Sequence, residues 1–234
     1  MCALVASAAG GDSISLTGGA LERQTRAPDE VLTLPRAVDG ALSAALATQA
    51  TWIWLLDGSA VPEPAALETL LSVPECNGDL PFPALLASKV VLSDGSLDKA
   101  SLPVAQIRDP DFAISSFERR VLSIRVARRG SVLVHRSGLE AIHSKWPSLT
   151  PFADDLEWSA RLLKHRPGLL VPASVAVRLQ RGRRTRPRVV GLELARRTRL
   201  LLGDAIEFGD KPWFAFRFVE EALAELSARR VSRP

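Results

Sequence analysis

Two acidic segments of this chain can act on one substrate. The first runs from Trp52 to Ser59 (WIWLLDGS), an apolar stretch that ends in Asp57 and continues through Gly58 and Ser59 to Pro62, Glu63 and Pro64. The second runs from Phe152 to Arg161 and places three carboxylates, Asp154, Asp155 and Glu157, within four residues. A buried strand that delivers an aspartate to a sheet edge suits contact with a polyphosphate leaving group. A second acidic cluster suits removal of a proton from an acceptor hydroxyl. Together they point to group transfer from a nucleotide, with sugar transfer as the expected case.

Elements must exist to position those groups. Thr51 to Leu56 is continuously apolar, which predicts a strand buried on both faces of a sheet. Ala3 to Ala6, Val31 to Leu34, Ala84 to Leu92, Ser131 to Val134 and Gly168 to Val177 predict further strands, the last with Pro172 near its middle or at a bend. Helices are predicted over Ser15 to Thr25, Ala37 to Thr48, Pro64 to Leu71 and Asp154 to Lys164. Ser93 to Ser96 (SDGS) is a turn signal. Asp98 to Phe117 lacks a clear period and reads as a long loop that partly covers a site. Strands alternating with helices argue an α/β domain with a mainly parallel central sheet, whose site lies beyond the carboxyl ends of the strands.

The 234 residues fit one domain with a helical appendage. The reading divides them into a domain over 1–188 and a helical extension over 189–234, packed on the domain or at a dimer or membrane interface. Cys2 and Cys76, the only cysteines, offer neither a disulfide framework nor metal-ligand spacing, which fits a reducing cytoplasm. No signal peptide and no run of about twenty apolar residues is visible. The expectation is a cytoplasmic protein, soluble or peripheral at the inner face of the plasma membrane.

The net charge of +4 is unevenly spread, with Arg178, Arg181, Arg183, Arg184, Arg186 and Arg188 in one block. Such a block meets anionic lipid, a nucleotide's phosphates or plain solvent. No zinc-finger spacing or aromatic-plus-basic signature accompanies it, which argues against nucleic acid as a partner. The aromatic run Trp213 to Phe218 packs a terminal helix or meets a membrane interface.

Four pieces, in order, resemble family 2 glycosyltransferases. Gln24 to Val31 is similar to their "QTxxPDEV" stretch. Trp54 to Pro64 is similar to the strand ending in Asp-x-Asp and followed by "VPEP". Arg129 to Arg136 sits where they have a Gly-containing strand. Ala153 to Leu162 is similar to "GDDxEFSxRL". The likeness extends to about residue 180 and is nearest to bacterial enzymes that add rhamnosyl, galactofuranosyl or similar sugars to envelope glycans. It implies a GT-A fold, a nucleotide-sugar donor, a glycan or lipid-linked acceptor and inversion of configuration.

The resemblance also distributes roles. Asp155 would be the general base, with Asp154 a cap or acceptor contact. Asp57, Ser59 and Arg178 would face the donor diphosphate. Glu157, Trp158 and Gly130 would face the acceptor. Each has a plainer alternative: Asp154 and Asp155 as helix caps, Glu157 as the partner of Arg161 one turn on, Trp158 as core, and Asp57 as a turn residue.

Departures from the family pattern bear on metal. Asp-x-Asp has become Asp57-Gly58-Ser59, and Arg178 follows the strand where many members place a metal-binding histidine. Hard cations need oxygen ligands, and a guanidinium supplies fixed positive charge instead. No metal is therefore assigned. Mn²⁺ or Mg²⁺ remains the cofactor if Asp57 still binds metal. The competing reading is a catalytically silent GT-A domain kept as a scaffold, and either version can be a homodimer.

Overall fold

The computed structural model describes residues 1–6, 11–34, 41–76, 81–106, 110–128, 130–146 and 155–179. They belong to a compact unit spanning Met1–Arg181. Its strands are β1 (Cys2–Ala6), β2 (Glu30–Leu34), β3 (Trp52–Asp57), β4 (Ala60–Pro62), β5 (Leu85–Leu92), β6 (Val104–Ala105), β7 (Leu122–Val126), β8 (Ser131–His135) and β9 (Gly168–Arg178). The helices are α1 (Gly11–Glu22), α2 (Ala41–Ala47), α3 (Ala66–Cys76), α4 (Pro110–Glu118), α5 (Arg136–Lys145) and α6 (Asp155–Leu162). The strands form one sheet in the order β2-β1-β3-β8-β5-β9-β7-β6, with β4 joined to β9.

The expected α/β sheet with flanking helices is present. Strands β1, β2, β3, β5, β6 and β9 share one direction, and β4, β7 and β8 run against it. Because β8 is inserted between β3 and β5, the ladder is mixed, and only the pairs β1–β2, β1–β3 and β5–β9 are parallel.

Strand β3 shows why the apolar run matters. Side chains alternate across a strand, so a run buried on both faces serves two cores. Ile53 and Leu55 enter one core with Ala45 of α2, Leu139 and Ile142 of α5, and Leu162 of α6. Trp54 and Leu56 enter the other with Leu21 of α1 and Leu67, Leu70 and Leu71 of α3. Each of these large side chains contributes about 1.5–3 kcal/mol on burial. The sheet is thereby clamped from both sides, and Asp57 is the first residue of the run that can leave it.

A chain of buried hydroxyls crosses the sheet. The Trp54 indole donates to Ser131 Oγ at 2.9 Å, Ser131 meets Ser88 at 2.7 Å, Ser88 meets Ser174 at 2.8 Å, and Ser174 donates to the Ala66 carbonyl at 2.9 Å. Indole N–H only donates and a carbonyl only accepts, so every proton in the chain has one direction. The chain ends at a bulge. The β5–β9 register jumps from Ser88↔Val171 to Lys89↔Val175, which loops out Pro172, Ala173 and Ser174. Proline has no amide proton for the ladder, so the strand can carry Pro172 only by bulging there. Ser174 pins the bulge, and the restored register sets Arg178 opposite Leu92.

Two motif pieces turn out to be one latch. Gln24 Nε2 donates to the Glu63 carbonyl at 2.8 Å and to the Ala20 carbonyl at 3.3 Å, while its Oε1 accepts from the Leu67 amide at 3.1 Å. The Thr25 amide donates to the Pro64 carbonyl at 2.8 Å, and its hydroxyl donates to Glu68 at 2.6 Å. The Leu67 amide is one of the donors that a helix start leaves unpaired, and Gln24 satisfies it. The "QT" and "VPEP" pieces therefore co-occur because they hold each other.

The sequence expectations differ from the structure in several places. The first helix starts earlier, at Gly11, and ends at Glu22. Asp98 to Phe117 is not a continuous loop: it holds a 3₁₀ turn over Lys99–Ser101, the short strand β6 and most of α4. Its period was hidden because each piece is short and only partly buried. Residues 189–234, the Arg block beyond Leu179 and Trp213 to Phe218 lie outside the described residues.

Candidate active site

The residues at the carboxyl ends of β3, β5 and β9 converge on Arg178. Asp57 closes β3, and its amide donates to the Gly130 carbonyl at 2.9 Å. The chain then turns through Gly58 and Ser59. Asp57 Oδ1 accepts from the Ser59 amide at 3.0 Å and from its hydroxyl at 2.9 Å, an Asx turn that fixes the carboxylate. Thr17 of α1 donates to the Gly58 carbonyl at 3.1 Å and ties the turn to the first helix. Strand β4 then returns along β9, pairing Ala60 with Arg178.

The segment after β5 brings in two residues that the sequence reading missed. A tight turn at Gly95 (φ 81°) folds residues 93–98 back, and the Asp98 amide donates to the Val90 carbonyl at 3.0 Å. Asp98 is 7% exposed and caps the 3₁₀ turn by accepting from the Ala100 amide at 3.1 Å. Its Oδ2 accepts from the Ser101 hydroxyl at 2.6 Å and from Arg178 Nε at 2.6 Å. The available signal was an Asp-x-x-Ser cap straight after a turn at a strand end, which returns its side chains to that end.

Arg178 is surrounded by oxygen. Nη1 donates to Asp57 Oδ2 at 3.1 Å and to Ser59 Oγ at 2.7 Å, and Nη2 donates to Ser101 Oγ at 2.6 Å. With the Nε bond to Asp98, the guanidinium fork is distributed over two carboxylates and two hydroxyls. Among the described residues one cation thus faces two carboxylates. Burial alone pushes the Asp57 carboxyl up. The Arg178 charge, the Ser59 amide and hydroxyl and the Arg178 hydrogen bond outweigh it, and the group is held below the ordinary carboxylate value.

Gly130 belongs to the wall of this cluster. It is buried, and a Cβ there would lie 2.7 Å from Val90 Cγ2 and 3.7 Å from Arg178 Nη2. Glycine has a packing reason here, because any side chain would strike Val90 of β5.

Helix α6 starts at Asp155, with Asp155 and Glu157 in its first turn, where carboxylates favour the positive end of the helix dipole. Ser159 anchors the helix: its hydroxyl contacts the Asp155 and Ala127 carbonyls at 2.6 and 2.9 Å and accepts from the Ala127 amide at 3.1 Å. Arg125 Nη1 donates to the Ala160 carbonyl at 3.2 Å. Asp154 lies outside the described residues.

Two residues expected at the acceptor take their plainer alternatives in the fold. Trp158 is 2% exposed and packs in the core beside Leu139, Ile142 and Leu162. Glu157 takes the alternative role: it is 8% exposed and accepts from Arg161 at 3.0 Å, while that guanidinium lies 4.4 Å from the Trp146 ring centroid. Among the histidines, His135 stacks edge-on against Trp52 and Phe82, away from the cluster.

No family model matches the chain, and no curated protein matches it. Solved structures do. A197 from STIV aligns with a TM-score of 0.51 at 16% identity, over 77% of this chain and 86% of that one. GalNAc-T7, crystallised with UDP, GalNAc and Mn²⁺, aligns with a TM-score of 0.59 at 10% identity over 86% of this chain and 48% of its own. S. aureus TarS 1–349, in complex with UDP-GlcNAc, gives 0.56 at 10% identity over 93% and 71%. The chain has the GT-A fold. It spans about half the length of the GalNAc-T7 chain.

In a GT-A fold a divalent cation held by Asp-x-Asp is the expected companion of a nucleotide diphosphate. The residues present here do not fit one. Both Asp57 oxygens already accept hydrogen bonds, Ser59 replaces the second carboxylate, and a guanidinium stands against the pair. Among the described residues no group of three or more His, Cys, Asp or Glu could hold a metal ion. No helix of the described residues is long and apolar enough to cross a membrane.

Proposed function

We propose that this GT-A domain is a glycosyltransferase that takes a sugar from a nucleotide-diphosphate donor and passes it, with inversion, to a cell-envelope glycan or glycolipid. The observation that carries the reading is the Asp57-Gly58-Ser59 turn, a carboxylate held ionised where the strands of a GT-A sheet end. Asp57 and Ser59 face the donor. Arg178 offsets part of the charge that grows on the departing diphosphate. Arg181 and Arg183, close behind it in sequence, supply more.

Asp155 removes the acceptor proton, and its start position on α6 suits that role because Ser159 and Arg125 hold the helix from behind. Asp154 contacts the acceptor or caps the helix. The extension over 189–234 packs on the domain or serves a dimer or membrane contact, and a membrane contact would suit a reaction at the inner face of the plasma membrane.

A silent GT-A scaffold is the second reading. The observation that favours it is the division of Arg178 between two carboxylates, Asp57 and Asp98, among the described residues.

Calorimetry with UDP, GDP and TDP, first in EDTA and then in Mn²⁺, tests donor binding. The transferase reading expects micromolar affinity that survives EDTA, together with turnover that falls about 10²–10⁴-fold in Asp155→Asn at unchanged thermal stability. No nucleotide binding in either condition favours the scaffold.

A further inference from the structure

We infer that the Arg178 guanidinium is a built-in cation that fills the place of the divalent metal, caged by Asp57, Asp98, Ser59 and Ser101, and that it excludes metal from the site. The inference rests on the four contacts and not on turnover. The guanidinium meets Asp98 Oδ2 at 2.6 Å, Ser101 Oγ at 2.6 Å, Ser59 Oγ at 2.7 Å and Asp57 Oδ2 at 3.1 Å. Every one of these atoms is a hard oxygen donor of the kind that Mg²⁺ or Mn²⁺ requires.

They come from two separate places in the chain, the turn after β3 and the segment after β5, and meet at the end of β9. Each is fixed independently of Arg178. Asp57 is held by the Ser59 amide, and Asp98 by the Ala100 amide and the Ser101 hydroxyl. The oxygens therefore converge because the backbone places them, and the arginine is a cation that offsets one buried and one partly buried carboxylate.

Asp98 is thereby assigned as a positioning residue. It supplies the second carboxylate that the Asp57-Gly58-Ser59 motif lacks, from a segment forty residues further along the chain. The carboxylate pair of an Asp-x-Asp site is restored in space, but around a guanidinium.

Removal of the arginine should expose a latent metal site. Mn²⁺ binding to the full chain is read by loss of the free-ion signal in electron paramagnetic resonance, with no nucleotide present. Wild type and Arg178→Lys, which keeps a cation in the cage, should take up no Mn²⁺ at millimolar concentration. Arg178→Ala should bind one Mn²⁺ at least tenfold more tightly than wild type, and adding Asp98→Asn should abolish that gain. Arg178→Met keeps the aliphatic stem and carries the same expectation if the alanine variant fails to fold.

Equal Mn²⁺ affinity in wild type and Arg178→Ala would overturn the inference, as would a folded Arg178→Ala or Arg178→Met that gains no affinity. So would a gain that survives Asp98→Asn. None of these results depends on nucleotide binding, so the inference and the transferase reading fail separately.

Discussion

Replacing Ser88 by alanine should destabilise the domain far more than the loss of one hydroxyl suggests. Ser88 is 4% exposed and sits between Ser131 and Ser174 in the chain that begins at the Trp54 indole and ends at the Ala66 carbonyl. Direction decides the cost. Ser131 accepts from the indole and must donate to Ser88, whereas Ser174 donates to Ala66 and accepts from Ser88. Ser88→Ala therefore deletes the 2.7 and 2.8 Å bonds and leaves the Ser131 hydroxyl proton buried without an acceptor.

Two lost hydrogen bonds at about 1 kcal/mol each, plus roughly 1–3 kcal/mol for the orphaned donor, with partial relaxation, give about 2–4 kcal/mol. In a domain of this size that lowers Tm by about 4–16 °C. Urea unfolding followed by tryptophan fluorescence should show the midpoint falling at constant slope. Ser72→Ala is the control, because its 2.9 Å bond to the Thr69 carbonyl is exposed and its loss should cost under about 0.5 kcal/mol. The double variant Ser88→Ala/Ser131→Ala should cost less than the sum of the single changes, since the orphan is removed with its partner. A Ser88→Ala loss no larger than that of Ser72→Ala would refute the directional chain.

Three other outcomes follow from the geometry. Asp57 has a folded pKa below its unfolded value of about 3.9, so its contribution is complete above that pH and disappears as pH falls through the folded value; Asp57→Asn should flatten the loss of Tm below about pH 4. Gln24→Ala removes bonds to Glu63, Ala20 and Leu67 and leaves the Leu67 amide unpaired at the start of α3, which should cost about 2–4 kcal/mol in denaturant unfolding. Gly130→Ala forces a Cβ to within 2.7 Å of Val90, for about 1–3 kcal/mol, and Val90→Ala in the same chain should recover part of it.

The legible parts of this protein were those with a local physical cause. The continuous apolar run of β3 could be placed because a strand buried on both faces leaves no polar position. Pro172 announced an irregularity in β9 because it cannot donate to a ladder. Glu157 and Arg161, four residues apart, were readable as a helix pair. Segments whose elements are short, such as Asp98 to Phe117, were not legible, since a turn of 3₁₀ helix and a two-residue strand carry no period. The buried face of Trp158 was likewise invisible, because an aromatic on a helix suits core and ligand alike until its neighbours are known.

By itself the sequence determined the α/β class, the strand that delivers Asp57, a helix over Asp154 to Lys164 that carries Asp155, and the replacement of the second motif carboxylate by Ser59. Only the tertiary structure decided what Arg178 does. Asp98 and Ser101 reach it because β5 and β9 are neighbours, because a glycine turn folds the chain back after β5, and because the bulge at Pro172 restores the register that sets Arg178 opposite Leu92. Those are contacts across eighty residues of chain, and no spacing within the sequence encodes a partner chosen by strand order.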